Sequence, residues 1–493
     1  MAISNVRGVI LAAGKSTRFK TEKCKLIFTV CGQPMILFPI KILKDFNIPI
    51  TVVLGFKKDE IKSEIKKSGI NSIDFVVQEN QMGTGNAVKS SQKTWDRDNI
   101  LIINGDAPLI TDEIIKELVE EHNKKKATLT FISAHCFNPS GYGRVIKDKD
   151  KLFIVEEKNC TDEQRTITLI NAGIYLVSKD FLANNLDKIK KNPVSGEYYI
   201  TDLVEVASKQ NVNVQTIQVP YDNVRGVNNL EELWVAEQIK RSQMIKYWMS
   251  RGVRFELAQN IHLDLDIQIG EESFIGTGVH VLRGTKIGKK CTINAFSIIE
   301  NTKIDDNSHI HSHSVIQDSV IGKNVHVGPF ARLRNNVILG DNSTIGNFVE
   351  IKNTQIDDNT KTRHLTFLGD TSVGKNVNIG AGTITCNFDG VKKNKTIIED
   401  NCFIGSNNTL IAPVKIGKNS YTAGGSAISG DVPQNTLAIG RSRQKNKVGY
   451  TKKLKDKKRQ NQSSNKNKNE KSNNNLKINF IGAVKTDKIQ ENV

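Results

Sequence analysis

Residues 1–227 alternate short apolar runs with stretches of helical spacing, in the order VRGVILAA, PMILFPIKILKDF, ITVVLGF, DEIKSEIKKS and NILIINGD. Strand-length apolar runs separated by amphipathic helical patterns predict β–α–β units, and so an α/β domain on a Rossmann-like, mainly parallel sheet. From 228 to 250 the chain reads NNLEELWVAEQIKRSQMIKYWMS, helical in spacing and free of Gly and Pro. That pattern predicts a linker helix. After Gly252 the period changes to six. Leu257, Leu263, Ile269, Ile275, Val281, Ile287, Ile293 and Ile299 form one run, Ile321 to Ile351 a second, and Ile398 to Ile416 a third.

A six-residue aliphatic period predicts a left-handed parallel β-helix of hexapeptide repeats over 251–443. Each hexad supplies one short strand whose aliphatic residue points into a prism, and three hexads close one coil. The span 257–428 then makes roughly 9.5 coils. The period slips near Asn301, Asp318 and Asp357, and CNFDGVKKNKT at 386–396 interrupts it. Interruptions of a solenoid become surface loops, where function is displayed.

Charge changes the picture only at the end of the chain. The net charge is +18, but the residues from Arg441 onward hold 16 Lys/Arg against 4 Asp/Glu. Two thirds of the excess therefore sits from Arg441 onward, mostly in a tail, 444–493, too poor in apolar residues to build a core and expected to be disordered. Charge alone would let it touch nucleic acid, but its basic residues are not interleaved with aromatics for base stacking. The seven cysteines include no C-x-x-C pair, which argues against a zinc or redox motif. No signal peptide or membrane-length apolar segment is visible, so a cytoplasmic setting is expected.

The stretch GVILAAGKSTR at 8–18 resembles a P-loop with one residue too many between Gly8 and Gly14. Gly8, however, lies inside an apolar strand, and the loop begins only at Ala12. The better description is L-x-x-G-x-x-T-R followed by Lys25: backbone amides and Arg18 around a triphosphate, with a lysine to balance charge. Further along come QENQMGTGNA, NGDAPLI, GYGR, IVEEKNCTDEQ, INAGIY, GEYYITD and GVNN. The repeat region adds GPFARLR, GNFVEIK, RHLTFLGD, NVNIGAGTITCNFDG, IGSN and AIGR.

This ordered set, from about Val6 to Arg443, resembles the bifunctional bacterial N-acetylglucosamine-1-phosphate uridyltransferase and glucosamine-1-phosphate acetyltransferase family. The resemblance implies an enzyme that acetylates glucosamine-1-phosphate with acetyl-CoA. It then joins UMP from UTP to the product, making UDP-N-acetylglucosamine for cell-wall and lipopolysaccharide precursors. In the first domain it implies that Leu11, Ala12, Ala13 and Gly14 contact the nucleotide and that Arg18 and Lys25 assist the chemistry. Gln78, Gly83 and Thr84 read uracil, Gly143, Glu156 and Asn171 hold the sugar, and Asp106 and Asn228 bind Mg2+. An amide such as that of Gln78 can both donate to and accept from a base edge.

In the second domain the resemblance implies that His364 is the general base, a role suited to a side chain titrating near neutral pH. Arg334, Lys352, Phe367 and Asn378 would hold the sugar phosphate, and Ala381, Asn387, Phe388, Ser406, Gly424 and Arg441 acetyl-CoA. A homotrimer is also implied, with the 386–396 loop placed to reach a neighbour. The sequence departs from the family at Ser16 (usually Gly), Cys24 (usually Pro), and Phe367 and Phe388 (commonly Tyr). An acyltransferase acting on a different amino sugar is the alternative reading. His309, His311 and His313 alternate and so face one way on a strand. With no carboxylate or cysteine at ligand spacing, they are not expected to bind a metal.

Overall fold

The computed structural model describes residues 3–478 apart from Ser16 and Asp150, with side chains of the last helix as far as Asn465. The chain divides into two units, Met1–Ile439 and Gly440–Val493.

The first part is an α/β domain. Its sheet runs in the order Val214–Gln218, Leu129–His135, Leu169–Ser178, Asn99–Asn104, Val6–Ala12, Ile50–Leu54, Ile73–Val77. Neighbours pair in parallel except Leu169–Ser178, which is antiparallel to both of its partners. The strand VRGVILA is apolar along its length because helices cover both faces of a parallel sheet. The predicted linker is the helix Leu230–Met249, whose first turn is capped by the Asn229 side chain accepting from Glu232 N–H.

From Arg254 the chain winds into a three-sided parallel β-helix with faces of 11, 10 and 9 strands. Each strand pairs in register with the strand one coil on. Along the first face the inward positions are Ile275, Ile293, Ile310, Val327 and Ile345, all 0% exposed. Burying an isoleucine fully contributes about 1.5–3 kcal/mol, and the prism repeats this at every inward position.

Three details differ from the hydrophobic pattern. Leu257 heads the six-residue run by coincidence: it is exposed, with φ +44°, and the neighbouring strand is Arg254–Phe255. The period slips fall where a corner is one residue shorter, at Asn301, Asp318, Asn353 and Asp370, each at positive φ. The slip expected near Asp357 thus lies at Asn353. The one at Asp370 lies between inward Leu368 and Val373, one hexad after Thr362, whose polar side chain takes the inward place and breaks the aliphatic run.

The last prism strand is Leu437–Ala438, short of the boundary expected at 443. In the second unit, Tyr450–Ile478 is one helix rather than irregular chain. No Gly or Pro interrupts it, and Lys, Arg and Gln favour helix. Its described side chains are all exposed, in keeping with a sequence that has no apolar stripe to bury. No described helix is long and apolar enough to cross a membrane.

Inside the prism, Thr362 lies between Ile345 and Ile379 on the first face, fully buried. Its hydroxyl has no hydrogen-bond partner among the described residues. Removing an unpaired buried hydroxyl while keeping the shape removes a desolvation cost. Thr362→Val should therefore stabilise the chain by about 1 kcal/mol, read as a shift in the denaturation midpoint at unchanged slope; a destabilised variant would mean the hydroxyl is satisfied.

Candidate active sites

Parallel strands end together, so their following loops meet at one edge of the sheet. Val6–Ala12, Ile73–Val77 and Asn99–Asn104 deliver Ala13 and Gly14, Gln78, and Asp106 to that edge. These residues line a cleft of about 840 Å³ together with Leu11, Ala12, Arg18, Lys25, Gly83, Thr84, Glu156 and Asn228. The Lys25 ammonium pairs with the Asp106 carboxylate and lies 3.4 Å from Asn228 Oδ1 and 3.3 Å from the Val227 carbonyl. Val227 N–H donates to the Asp106 carbonyl at 3.0 Å, which ties the GVNN segment to NGD. Asn228 N–H donates to Glu232 Oε2 at 2.6 Å, so the first turn of the linker helix sets Asn228 in place. Ser16 lies outside the described residues.

Gln78 is buried, and its amide nitrogen donates to the Gly83 carbonyl at 3.1 Å and to Asn86 Oδ1 at 2.8 Å. The amide expected both to donate to and to accept from a base is thus committed on its donor side. Thr84 Oγ1 accepts from Ile200 N–H at 3.0 Å, and Gly85 N–H donates to the Tyr198 carbonyl at 2.8 Å. These bonds stitch the GTG loop to GEYYITD. Glu156 accepts from Thr201 Oγ1 at 2.7 Å. Burial pushes its carboxyl above the usual carboxylate range, with the Thr201 bond opposing. Burial, then the nearby Glu156 and Glu205, push Asp202 up to about 6. Gly143 and Asn171 sit behind Glu156 rather than on the cleft wall. Asn171 N–H donates to the Gly143 carbonyl at 2.9 Å, and its side-chain amide to Tyr175 at 2.6 Å.

On the β-helix the expected residues fall into two groups. One follows the corner after the first face: His364, then Ala381, Ser406 and Gly424 on successive coils. They are linked by Gly382 N–H to Leu365 O at 3.1 Å, Asn407 N–H to Ala381 O at 2.7 Å and Gly425 N–H to Ser406 O at 2.7 Å. His364 is exposed, with Nδ1 2.7 Å from Asn347 Oδ1. The other group lies on the second face, where Arg334, Lys352 and Gly369 are in register and Phe367 stands two residues before Gly369. Arg334 donates from Nε at 2.9 Å and Nη2 at 2.7 Å to Glu350 Oε1. The Lys393 ammonium, with Arg334 adding to it, holds Lys352 below the usual lysine value. Asn387 donates to Asp370 at the same edge. Asn378 lies on the first face beside Lys361, apart from the Arg334 row, and Phe388 projects outward from the loop. Arg441 belongs to the second unit and is exposed there.

Residues 7–251 match the nucleotidyl transferase family, 257–356 the GMPPB C-terminal domain, and 395–430 the bacterial transferase hexapeptide (six repeats) family. Over 450 residues the chain is 40% identical to the bifunctional protein GlmU of Clostridium botulinum (strain 657 / Type Ba4), covering 90% of this chain and 98% of that protein. The proteins of the same name from Thermotoga petrophila and Caldicellulosiruptor saccharolyticus are 41% and 42% identical, each over 91% of this chain and 99% and 97% of their own lengths.

The chain belongs to the bifunctional GlmU family.

It therefore carries a nucleotidyltransferase and a hexapeptide transferase in one chain. Sequence reasoning missed three residues beside the candidate sites of this GlmU-family chain. Glu232 orients Asn228 from four residues away, a distance at which it reads as ordinary first-turn acid on a helix. Asp202 was visible only as the end of GEYYITD. Lys393 lies in the interrupting loop and comes beside Lys352, which is 41 positions earlier, so no local pattern could couple them.

Gly83 sits at φ +97°, ψ 178°, a region open essentially to glycine, and a Cβ there would come 2.5 Å from the Tyr198 carbonyl oxygen. Gly83→Ala should cost about 1–3 kcal/mol and loosen the loop on which Gln78 depends. Thermal melting and hydrogen exchange at Gly85 N–H read both effects, and an unchanged melt with full protection would refute them.

Proposed function

We propose that this GlmU-family enzyme acetylates glucosamine-1-phosphate with acetyl-CoA on its β-helix. Its α/β domain then transfers UMP from UTP to the resulting N-acetylglucosamine-1-phosphate, releasing pyrophosphate. The observation that carries this reading is the convergence of Lys25, Asp106 and Asn228 at the strand edge, in a cleft whose opposite wall holds Gln78 and Glu156.

The Ala12–Gly14 backbone and Arg18 hold the triphosphate. The Gln78 carbonyl accepts from the uracil imide, since its donor side is already engaged. Glu156 accepts from a sugar hydroxyl, with Gly143 and Asn171 supporting it from behind. The sugar phosphate oxygen attacks the α-phosphorus in line, the bond to the β-phosphate oxygen breaks, and pyrophosphate leaves. Lys25 and Arg18 offset the charge that accumulates. Asp106 and Asn228 fit Mg2+: their oxygens, hard donors, already gather around one cationic group, the Lys25 ammonium. Magnesium bound there neutralises phosphate charge and aligns the reacting oxygens.

On the β-helix, Arg334 and Lys352, with Lys393, bind the sugar phosphate, and Ala381, Asn387, Ser406 and Gly424 take acetyl-CoA. If Asn347 Oδ1 accepts from Nδ1–H of His364, Nε2 presents its lone pair to the substrate amine. The amine nitrogen bonds to the thioester carbon, the C–S bond breaks, and the proton passes through His364 to the departing thiolate. Three copies assemble with prisms side by side. An exposed row at one corner supports this, with Phe296, His313, Phe330 and Phe348 stacked at centroid spacings of 5.3, 5.0 and 5.4 Å. Both co-substrates being soluble metabolites, the cytoplasm is the setting.

Asp106→Ala should abolish UDP-sugar formation and leave acetyl transfer intact. His364→Ala should slow acetyl transfer by about 10²–10⁴ while uridyl transfer to supplied N-acetylglucosamine-1-phosphate stays near normal. Both half-reactions on both variants, with melts to establish folding, test the assignment. A folded His364→Ala enzyme acetylating at full speed would place the base elsewhere.

The Phe367 ring lies against Gly369, its Cζ 2.7 Å from where a Cβ on Gly369 would be, and Gly369 is in register with Lys352. A hydroxyl at Cζ would extend toward the proposed phosphate cations. Phe367→Tyr should lower KM for glucosamine-1-phosphate by up to roughly tenfold; steady-state kinetics showing a large rise would mean the ring serves another purpose.

A further inference from the structure

His309 and His311 flank the inward Ile310 on the first face of the β-helix, so both imidazoles point outward. The coil repeat then places His326 directly beside His309, in register on the next strand. One ring nitrogen from each of the three lies within 4.8 Å of the other two. His313, which the alternating pattern groups with them, turns away at the corner and stacks between Phe296 and Phe330.

We propose that His309, His311 and His326 bind one borderline divalent cation of the zinc class. Imidazole nitrogens suit zinc, cobalt, nickel and copper, whereas magnesium and calcium take oxygen. Tetrahedral ligation at 2.0–2.1 Å needs nitrogens about 3.3 Å apart, so side-chain rotation alone closes the cluster. The stack supports that movement: the His309 and His311 rings are already 4.0 Å apart at 22°. Asn294, one coil before, meets Nε2 of His309 at 2.9 Å. Turning that amide over puts its oxygen there to accept from Nε2–H, which leaves the Nδ1 lone pair for a metal.

Space for a fourth ligand comes from Gly328, the residue two after His326, which puts no side chain over His311; a Cβ there would lie 3.4 Å from that of His311. Burial first, then each other's proximity, keep His309 down at about 4, and His311 is lowered likewise. The bound ion joins two successive coils from outside the prism, where coils otherwise hold one another only by strand pairing and inward packing.

The test uses the full chain stripped with EDTA and titrated with Co2+ under excess Mg2+, read by the visible absorption of imidazole-bound cobalt, with Zn2+ followed by calorimetry. One equivalent should bind, and Zn2+ should raise the melting temperature by a few degrees. His326→Gln, at an exposed position, and His311→Ala should each weaken binding at least tenfold, while both keep uridyl transfer and a wild-type melt without metal. His313→Ala and Asp106→Asn should bind as wild type. Equal binding by wild type and His326→Gln overturns the proposal. So does loss of the cobalt signal in Asp106→Asn, which would put the ion in the nucleotide cleft.

Discussion

Parallel pairing in register is the constraint on which both halves of this protein depend. In the α/β domain it makes Val6–Ala12, Ile73–Val77 and Asn99–Asn104 finish at one edge, so residues as distant as Gly14, Gln78 and Asp106 face a common cleft. In the β-helix it repeats an inward aliphatic residue at every strand and aligns the corners between them. Residues one coil apart then become neighbours whatever lies between them in sequence. His364, Ala381, Ser406 and Gly424 fall on one corner for that reason, as do His309 and His326 on one face.

The two sites handle charge differently. In the cleft, Lys25 and Asp106 are both mostly buried, and each offsets the other's desolvation. A metal or phosphate entering there exchanges one set of charge-assisted contacts for another. On the β-helix, Lys352 and Lys393 are placed together, and Lys393 holds Lys352 below the usual lysine value although Asp370 opposes it. Two adjacent ammonium groups repel, and an anion such as a phosphate relieves that repulsion. Arg334, by contrast, already has Glu350 as partner.

The buried acids of the first site follow the same logic. Glu156, which lines the cleft, and the nearby Asp202 are both raised chiefly by loss of water. The helix of the second unit, described by itself, keeps its described side chains in solvent.

By itself the sequence determined the two folds and their order. Strand-and-helix alternation and a six-residue aliphatic period are local signals, and burial requires them wherever the chain turns back on itself. Most residues lining the candidate cleft were legible too, because Ala13 and Gly14, Gln78 and Asp106 follow the strands Val6–Ala12, Ile73–Val77 and Asn99–Asn104, and strand ends are legible. The tertiary structure decided what lies across a coil or a loop. Thr362 could fill an inward place because one polar residue is tolerated in a long apolar ladder, and that broke the aliphatic run. Asn171 turned toward Tyr175 rather than the cleft, since packing against the sheet outweighs motif membership. His326 replaced His313 beside His309, because a coil of 17 residues brings the next strand within reach while a corner of positive φ carries the nearer histidine away.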